Sequence, residues 1–289
     1  MFEGFEYARI ATSGAQIAVR RKGDGPPVLL LHGFPQTHAM WHLVAPRLAQ
    51  RYTVVCADLR GYGDSSKPAS DPEHTPYCKR TMARDDVEVM RAFGFERFAV
   101  VGHDRGGRVA YRLALDHPER VAALSVLDIL PTYEHYARTN MAFAMGYWHW
   151  FFLSQRFDLP ERMMAADPDG VFLKHGDLLF KPEALEEYRR AIKNPETIHA
   201  MCEDYRAGAR IDMRLDEADK TAGRRIACPV QVLWGKKNVL EAWYDVLSVW
   251  REWADQVEGH AVDSGHFLPE EAPDATYEAI KSFLDRAPW

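Results

Sequence analysis

A short apolar strand runs directly into a glycine turn and then a helix in the stretch RFAVVGHDRGGRVAYRLALD, residues 97–116. The strand carries almost only apolar residues before the turn, which is typical of a strand buried on both faces of a sheet. Helical spacing then predicts a helix over residues 106–116. A strand that passes into a helix across a tight turn is the building unit of a parallel sheet with crossover helices.

The same unit recurs along the chain. The runs PVLLLHGFP and YTVVCADLRGYGDSS each end an apolar strand in a glycine-containing loop, and VAALSVLDI, PVQVLW and VEGHAV have the composition of further strands. Ser13-Gly14 separates two strand-like runs near the N-terminus and predicts a hairpin. Helical spacing over residues 39–49 and 81–93 supplies intervening helices. We therefore predict an α/β fold with a mostly parallel sheet flanked by helices.

The alternation of strands and helices stops after Pro131. The next stretch is rich in aromatic residues (YWHWFF, DLLF, EEYRRAI) and has the pattern of several helices without a strand. We predict that residues 131–215 form a helical cap, inserted after the strand that ends near Asp128. Residues 1–130 and 216–289 then form the α/β core.

Composition excludes several classes of protein. The 289 residues are 47% hydrophobic, enough for a large core, and a net charge of −6 without a Lys/Arg tract argues against a nucleic-acid partner. No apolar run approaches the roughly 18 residues of a membrane span, and the N-terminus has no signal-peptide pattern, so we expect a cytoplasmic protein without a membrane partner. The four cysteines lack CxxC or Cys/His spacing, which predicts reduced thiols and no metal.

The turn GHDRGG has the form of a nucleophile elbow, G-x-nucleophile-x-G, with Asp104 in the nucleophile position. Gly102 and Gly106 permit a sharp turn that raises this side chain above the sheet edge, and the following helix N-terminus favours an anion. The alternative is that Asp104 only caps the helix.

A nucleophile at such a turn needs an acid and a histidine later in the chain. His266, in VDSGHFLPEEAP after the last strand, is in the position of the base. The position after PVQVLWG that often carries the acid holds Asn238, which cannot share the charge of an imidazolium, and Glu241 is out of register. We therefore assign the acid to Asp128, in SVLDILP. The alternatives are that His266 is only a polar surface residue and that Asp128 is only a buried structural aspartate.

An aspartate nucleophile restricts the chemistry. A carboxylate is a poor nucleophile toward amides and esters, because the mixed anhydride collapses backward, but it is competent at a saturated carbon with a leaving group. Water activated by His266 would then hydrolyse the alkyl ester on Asp104, with the backbone N–H groups of Phe34 and Arg105 stabilising the oxyanion. The Phe34-Pro35 bond is a candidate for the cis form. The sequence thus favours carbon–halogen bonds or epoxides as substrates.

Two arginines follow the nucleophile. Arg105 and Arg108 are three residues apart at the start of a helix and share a face, and guanidinium groups match carboxylates. An anion that approaches Asp104 to 4 Å meets a repulsion of about 4 kcal/mol at an effective dielectric of 20. We expect both arginines to bind a substrate carboxylate; the alternative is that they make surface ion pairs.

The predicted cap offers hydrogen-bond donors for a leaving group. His149 and Trp150 place two N–H groups in the apolar stretch YWHWFF, and Tyr205 in CEDYRAG supplies a hydroxyl. Fluoride loses strong hydration on leaving, and hydrogen bonds worth about 1.5–3 kcal/mol each must replace it. We predict that these three residues bind the halide. The other aromatic residues of this run are expected to be core: Trp148, Phe151 and Phe152.

Nearly the whole chain resembles the fluoroacetate dehalogenases of the α/β-hydrolase superfamily. HG and DLRGYG are shared across the superfamily, whereas HDRGGR together with YWHW and DYRAG is far more selective. The resemblance implies the α/β-hydrolase fold, hydrolysis of a short anionic 2-haloacid such as fluoroacetate without a cofactor, and a homodimer. Residues 234–262 match the family motifs less clearly. The residue roles that the resemblance implies are Asp104 as nucleophile, Asp128 as acid, His266 as base, Arg105 and Arg108 as carboxylate binders, and His149, Trp150 and Tyr205 as halide binders.

Three alternatives remain. An epoxide hydrolase shares the aspartate and the cap, but Arg105 stands where those enzymes usually have tryptophan, although Tyr147, Tyr188 and Tyr205 are available. The arginine pair disfavours a neutral-haloalkane dehalogenase. A ligand sensor without catalysis would not need the complete set of nucleophile, base and acid.

Overall fold

An eight-stranded sheet runs through the computed structural model, which describes all residues from Met1 to Trp289. The strands are β1 (Glu6–Ala11), β2 (Gln16–Lys22), β3 (Pro27–Leu31), β4 (Thr53–Ala57), β5 (Phe98–His103), β6 (Val121–Leu127), β7 (Val230–Gly235) and β8 (Val257–Val262). Their spatial order is β1-β2-β4-β3-β5-β6-β7-β8. The β1–β2 and β2–β4 pairs are antiparallel and every other pair is parallel. The predicted hairpin and the predicted fold class are confirmed.

The chain also contains sixteen α-helices. They are α1 (Ala45–Leu48), α2 (Lys79–Ala92), α3 (Asp104–Asp116), α4 (Thr132–Ala137), α5 (Met141–Gly146), α6 (Trp148–Leu153), α7 (Leu159–Ala166), α8 (Pro168–Phe172), α9 (Gly176–Leu179), α10 (Pro182–Ile192), α11 (Pro195–Ala207), α12 (Met213–Thr221), α13 (Leu240–Trp243), α14 (Val246–Arg251), α15 (Leu268–Glu271) and α16 (Pro273–Leu284). Two 3-10 helices span His38–Trp41 and Thr75–Tyr77, and a π-helix spans Gly208–Asp212. No helix has the length and apolar character that crossing a membrane requires.

The central strands lie inside the core. Every residue of β4, β5 and β6 is buried, as expected of parallel strands that helices cover on both faces. Because the parallel strands run in the same direction, their carboxyl ends meet at one edge of the sheet. The loops that follow β3, β5, β6, β7 and β8 therefore come together there.

The regular structure between β6 and β7 consists of helices, α4 to α12 and the π-helix, without a strand. We refer to residues 131–215 as the cap segment. Its division from the core remains a prediction, and α12 runs across the predicted boundary at residue 215.

The single helix predicted over residues 39–49 is wrong. The structure has the 3-10 helix at His38–Trp41 and, separately, α1 at Ala45–Leu48. Pro46 lies in the first turn of α1, where a missing N–H costs nothing, but a proline deeper in one continuous helix would break a hydrogen bond. Both halves of the predicted segment are helical, but they form two separate short helices. Helices α14 and α16 were not predicted.

Candidate active site

The chain changes from strand to helix within one residue at the predicted nucleophile turn. Strand β5 ends at His103 and α3 begins at Asp104, whose φ of 44° is a left-handed conformation that is strained for a residue with a side chain. A Cβ at Gly102 would lie 2.5 Å from the carbonyl oxygen of Gly106, and a Cβ at Gly106 would lie 2.4 Å from the carbonyl oxygen of His32. Only glycine fits at either position, so the corner that carries Asp104 depends on both.

The loops after β6 and β8 bring Asp128 and His266 together. Nδ1 of His266 donates to Oδ2 of Asp128 at 2.5 Å, and the Gly235 N–H donates to Oδ1 at 2.9 Å. Asp128 also has a left-handed φ, 56°, and its side chain is fully buried. His266 and Asp104 line the same cavity. The three residues predicted as nucleophile, acid and base thus lie in one site.

Electrostatics favour an ionised Asp104 and a basic His266. Burial alone would raise the pKa of Asp104, but the positive fields of His266 and Arg108 outweigh it and lower this pKa to about 2. Burial likewise disfavours charge on His266, but the hydrogen bond to Asp128 and its negative charge outweigh it and raise the pKa of His266.

One oxygen of Asp104 is held by the backbone. The Phe34 N–H donates to Oδ1 of Asp104 at 2.9 Å, whereas Oδ2 has no hydrogen-bond partner. The Arg105 N–H lies in the first turn of α3, where helices leave N–H groups without an intrahelical acceptor. The Phe34-Pro35 peptide bond is cis, as predicted. Of the two backbone donors predicted for an oxyanion, the Phe34 N–H contacts the Asp104 carboxyl group directly, and the Arg105 N–H belongs to the next residue of the chain.

Arg105 is buried and already paired. Its Nε and Nη2 donate to the two carboxylate oxygens of Asp204, at 2.9 and 2.7 Å, and Nη2 also donates to the Asp204 carbonyl oxygen at 2.9 Å. Asp204 lies on α11 in the cap segment and also accepts from Lys79 Nζ and from Tyr62 Oη. Sequence reasoning missed Asp204, since only the folded structure brings it to Arg105. Nη1 is the part of the guanidinium that Asp204 leaves open.

Arg108 is buried without a carboxylate partner. Its Nη1 donates to the Leu130 carbonyl oxygen at 3.0 Å and to Oγ1 of Thr132 at 3.3 Å, and its Nε has no acceptor. The guanidinium lies 4.4 Å from the centre of the Trp150 ring. Burial lowers the pKa of Arg108, although the charge of Asp104 opposes this effect. Neither arginine makes the surface ion pair that was the alternative in the sequence.

The three predicted halide binders meet around one ring. The ring of Tyr205 lies 5.9 Å from that of His149 and 6.2 Å from that of Trp150, between centroids. None of the three side chains donates a hydrogen bond to a protein acceptor. Burial lowers the pKa of His149 to about 4, so its imidazole is neutral at pH 7. The core prediction for Trp148 is wrong: this side chain is 52% exposed and lines the cavity.

Asn238 occupies an unexpected place. Its Nδ2 donates to Oδ2 of Asp128 at 2.5 Å, the oxygen that also accepts from His266. Sequence reasoning set Asn238 aside because an amide cannot serve as the acid, and so missed it as a partner of the acid. Glu241, the other residue weighed there, accepts from the indole Nε1 of Trp234 at 2.7 Å instead.

The site opens into a cavity of about 350 Å³ between the core and the cap segment. Nine of its fifteen lining residues are hydrophobic, so the walls are mostly apolar and a few polar groups can set the orientation of a ligand. The lining residues that this description uses are Phe34, Asp104, Tyr147, His149, Tyr205, Asn238 and His266. No group of three or more His, Cys, Asp or Glu side chains is arranged to hold a metal ion.

Comparisons with known proteins bear on the family and the fold. Residues 26–273 match the model of the alpha/beta hydrolase fold family. The chain is 45% identical to a fluoroacetate dehalogenase from Burkholderia sp, over 99% of this chain and 96% of the relative. It is 34% identical to a soluble epoxide hydrolase from Corynebacterium sp. (strain C12), over 91% of each chain. A solved structure from Nostoc sp PCC 7120, assigned to the alpha/beta hydrolases, superposes with a TM-score of 0.97 at 53% identity, covering 99% of this chain and all of the other.

Proposed function

The chain belongs to the alpha/beta hydrolase family, and we propose that it hydrolyses the carbon–halogen bond of short 2-haloacids, specifically fluoroacetate to glycolate and fluoride. The observation that carries this proposal is an aspartate at the strained corner, where one oxygen is held by the Phe34 N–H and the other is unbonded. The identity of 45% with a fluoroacetate dehalogenase supports it.

The first step is displacement at the substrate carbon. The unbonded Oδ2 of Asp104 forms a bond to C2 of the haloacid while the C2–halogen bond breaks and the halide takes the electron pair. Because the charges of His266 and Arg108 lower the pKa of Asp104 to about 2, the carboxylate is ionised at neutral pH. We assign the departing halide to the N–H groups of His149 and Trp150 and the hydroxyl of Tyr205, which have no protein acceptor to give up.

The second step is hydrolysis of the ester on Asp104. His266 takes a proton from water, and the resulting hydroxide attacks the carboxyl carbon of Asp104. Negative charge then develops on Oδ1, where the Phe34 N–H already donates, and the Arg105 N–H is the second donor. Collapse of this intermediate breaks the ester bond, the departing alkoxide takes the proton back from His266 to give the hydroxy-acid, and one oxygen of water remains in Asp104. Asp128 stabilises the protonated His266 from the attack of water until the intermediate collapses.

The arginines select an acid as substrate. We assign the substrate carboxylate to Nη1 of Arg105 and to the N–H groups of Arg108 that face away from Leu130. Since Asp204 neutralises Arg105, Arg108 is the cation that balances the incoming anion. No cofactor enters this scheme.

The test is fluoride release and the fate of the water oxygen. Folded protein should release fluoride from fluoroacetate, and Asp104→Asn, which keeps the size of the side chain, should release none while retaining the circular dichroism of the parent. A single turnover in heavy-oxygen water with enzyme in excess should place the label in Asp104, not in glycolate. Label found in glycolate during that first turnover, or no fluoride from folded protein, contradicts the proposal.

Epoxide hydrolysis is the second candidate function. Two cap-segment tyrosines, Tyr147 and Tyr205, line the cavity; the Tyr205 hydroxyl has no hydrogen-bond partner, and the Tyr147 hydroxyl meets only the side chain of Asn238. Such a pair can donate to an epoxide oxygen as Asp104 opens the ring, and a relative at 34% identity is a soluble epoxide hydrolase. Diol formation from a neutral epoxide, without fluoride release from fluoroacetate, would favour this function over the first.

We further propose that two chains associate through the cap segment. Large apolar side chains are exposed there, such as Leu178 at 86% and Met141 at 77%. Exposed apolar residues that cluster on one part of a surface indicate a protein interface. Light scattering should give twice the chain mass of 33.0 kDa, and Leu178→Glu with Met141→Glu should return it to one chain. A single-chain mass for the unmodified protein rules the homodimer out.

A further inference from the structure

Three donors converge on the buried carboxylate of Asp128. The Gly235 N–H binds Oδ1 at 2.9 Å, while Asn238 Nδ2 and His266 Nδ1 both bind Oδ2 at 2.5 Å. Of these donors, only His266 becomes a cation during a reaction. Asn238 therefore shares with His266 the oxygen whose negative charge stabilises the imidazolium.

The loop after β7 holds Asn238 firmly. The Asn238 N–H donates to the Gly235 carbonyl oxygen at 3.1 Å, closing a turn. The two residues before it are tied to the loop after β8: the Lys236 N–H donates to Val262 at 2.8 Å and the Lys237 N–H to Ser264 at 2.9 Å. The amide of Asn238 is thus presented by a backbone whose N–H groups are bonded at three consecutive residues, 236 to 238, as suits a residue that orients another side chain.

We propose that Asn238 is a positioning residue, which fixes the plane of the Asp128 carboxylate for His266 and limits how strongly that carboxylate holds the imidazolium proton. The carboxylate has three donors and cannot turn without losing one of them. A hydrogen bond from Asn238 disperses charge from Oδ2, so His266 loses its proton more readily than it would beside an unshared carboxylate. A base needs to be unprotonated at the working pH, and this sharing favours that state.

The other groups that face His266 do not duplicate this effect. They are the carboxylates of Asp104, Asp128 and Glu271, which raise its pKa, and the imidazoles of His103 and His149. Burial lowers the pKa of both imidazoles to about 4, so neither is a cation at neutral pH. Asn238 is the uncharged side-chain donor to one of these three anions, Asp128, and it lies in the segment that matches the family motifs less clearly.

The decisive measurement is the pKa of His266 itself, from histidine NMR in the intact protein, with the resonance identified by its loss in His266→Asn. Asn238→Leu removes the donor and keeps the bulk, and Asn238→Ala removes both. Each should raise the pKa of His266 by about 0.5 to 1 pH unit, which is a three- to tenfold gain in proton affinity. Lys237→Ala is the matched control on the same loop; it removes only a surface contact to Asp263 and should leave the value within about 0.2 unit.

No change or a fall in both Asn238 variants overturns the proposal, and a rise in Asn238→Leu alone shows that shape, not the lost donor, is responsible. The NMR measurement does not depend on the proposed function. The kinetic measurement does rest on it: the acid limb of fluoride release should move upward by the same amount. An unchanged pKa with normal fluoride release sinks only the role of Asn238, whereas a raised pKa without any fluoride release sinks only the proposed reaction.

Discussion

The side of the cavity built from strand ends differs from the side built from the cap segment in how its polar groups are satisfied. On the core side, Asp128 accepts from three donors and Oδ1 of Asp104 accepts from the Phe34 N–H. On the cap side, Tyr205 lines the cavity and Trp150 packs against its ring; both are almost fully buried, yet their O–H and N–H groups have no protein acceptor. The core side is organised before a substrate arrives, and the cap side keeps donors available for a group that leaves.

The two arginines show the same difference within one helix. Arg105 is held by Asp204 of the cap segment, so its charge is cancelled and its position is set. Arg108 has no carboxylate partner and leaves its Nε unpaired. A buried unpaired N–H group is costly, so one that persists calls for a ligand or a functional reason. We therefore expect Arg105 to orient the substrate carboxylate and Arg108 to supply the positive charge that balances it.

The largest effect is expected from a variant that removes the base on the core side of the cavity. In His266→Asn, Asp104 should still displace the halide, but water is no longer activated, so turnover should fall by about a thousandfold or more. Mass spectrometry should find a carboxymethyl group on the peptide that contains Asp104 after incubation with fluoroacetate. The same treatment of Asp104→Asn should leave that peptide unmodified. Normal turnover in His266→Asn means that the base is another residue.

Arg108 should discriminate between charged and neutral substrates. Loss of one partner from a buried charge pair costs about 2–5 kcal/mol, so Arg108→Leu should lower kcat/KM for fluoroacetate by about 30-fold to several thousandfold. The value of kcat/KM for chloroacetamide, which carries no charge, should change much less. Arg108→Lys keeps the charge but loses the planar guanidinium fork, so its kcat/KM for fluoroacetate should lie between those of the parent and Arg108→Leu. Equal losses on both substrates would show that Arg108 only supports the fold.

Trp150 tests the cap side. Trp150→Phe keeps an aromatic ring and removes one N–H, and a hydrogen bond to a charged partner is worth about 1.5–3 kcal/mol, so fluoride release should slow by about 10- to 100-fold. Chloride release should slow less, because chloride accepts weaker hydrogen bonds. Trp253→Phe is the matched control, since its indole donates to Glu134 at 2.9 Å, away from the cavity. The same loss with both halides would remove the halide role from Trp150.

The core side could be predicted from sequence because its positions follow from chain direction. Parallel strands end at one edge, so residues that directly follow them must be neighbours, and the glycines of GHDRGG mark the corner. Asp104, Asp128 and His266 are predicted to be neighbours for this reason. The strained φ angles of Asp104 and Asp128 fall at those positions.

Partners chosen by side-chain packing could not be predicted. Asp204 reaches Arg105 from a helix about 100 residues further along, and no periodicity or spacing links the two. Asn238 was dismissed on its chemistry, since an amide is not an acid; its geometry as a donor to Asp128 depends on the loop after β7. Hydrogen-bond partners depend on rotamers and on helix packing, and a sequence pattern carries neither.

The smallest effect is expected where the two sides meet. Glu270 of α15 accepts from Tyr188 of α10 in the cap segment, and Gln36 Nε2 donates to the same hydroxyl at 3.2 Å. Burial raises the pKa of Glu270 to about 8, against an ordinary value of 4.5, although the bond from Tyr188 opposes this.

Between those two pH values the folded protein therefore binds one proton more than the unfolded chain, so the free energy of unfolding should fall as pH rises from about 5 to 8. The thermal midpoint of the parent should be lower at pH 8 than at pH 5 by roughly 3 °C or more. Glu270→Gln should lose this difference. Glu278→Gln, a surface carboxylate paired with Arg47, should keep the slope of the parent; identical slopes in all three proteins would mean that Glu270 is ionised where it meets the cap segment.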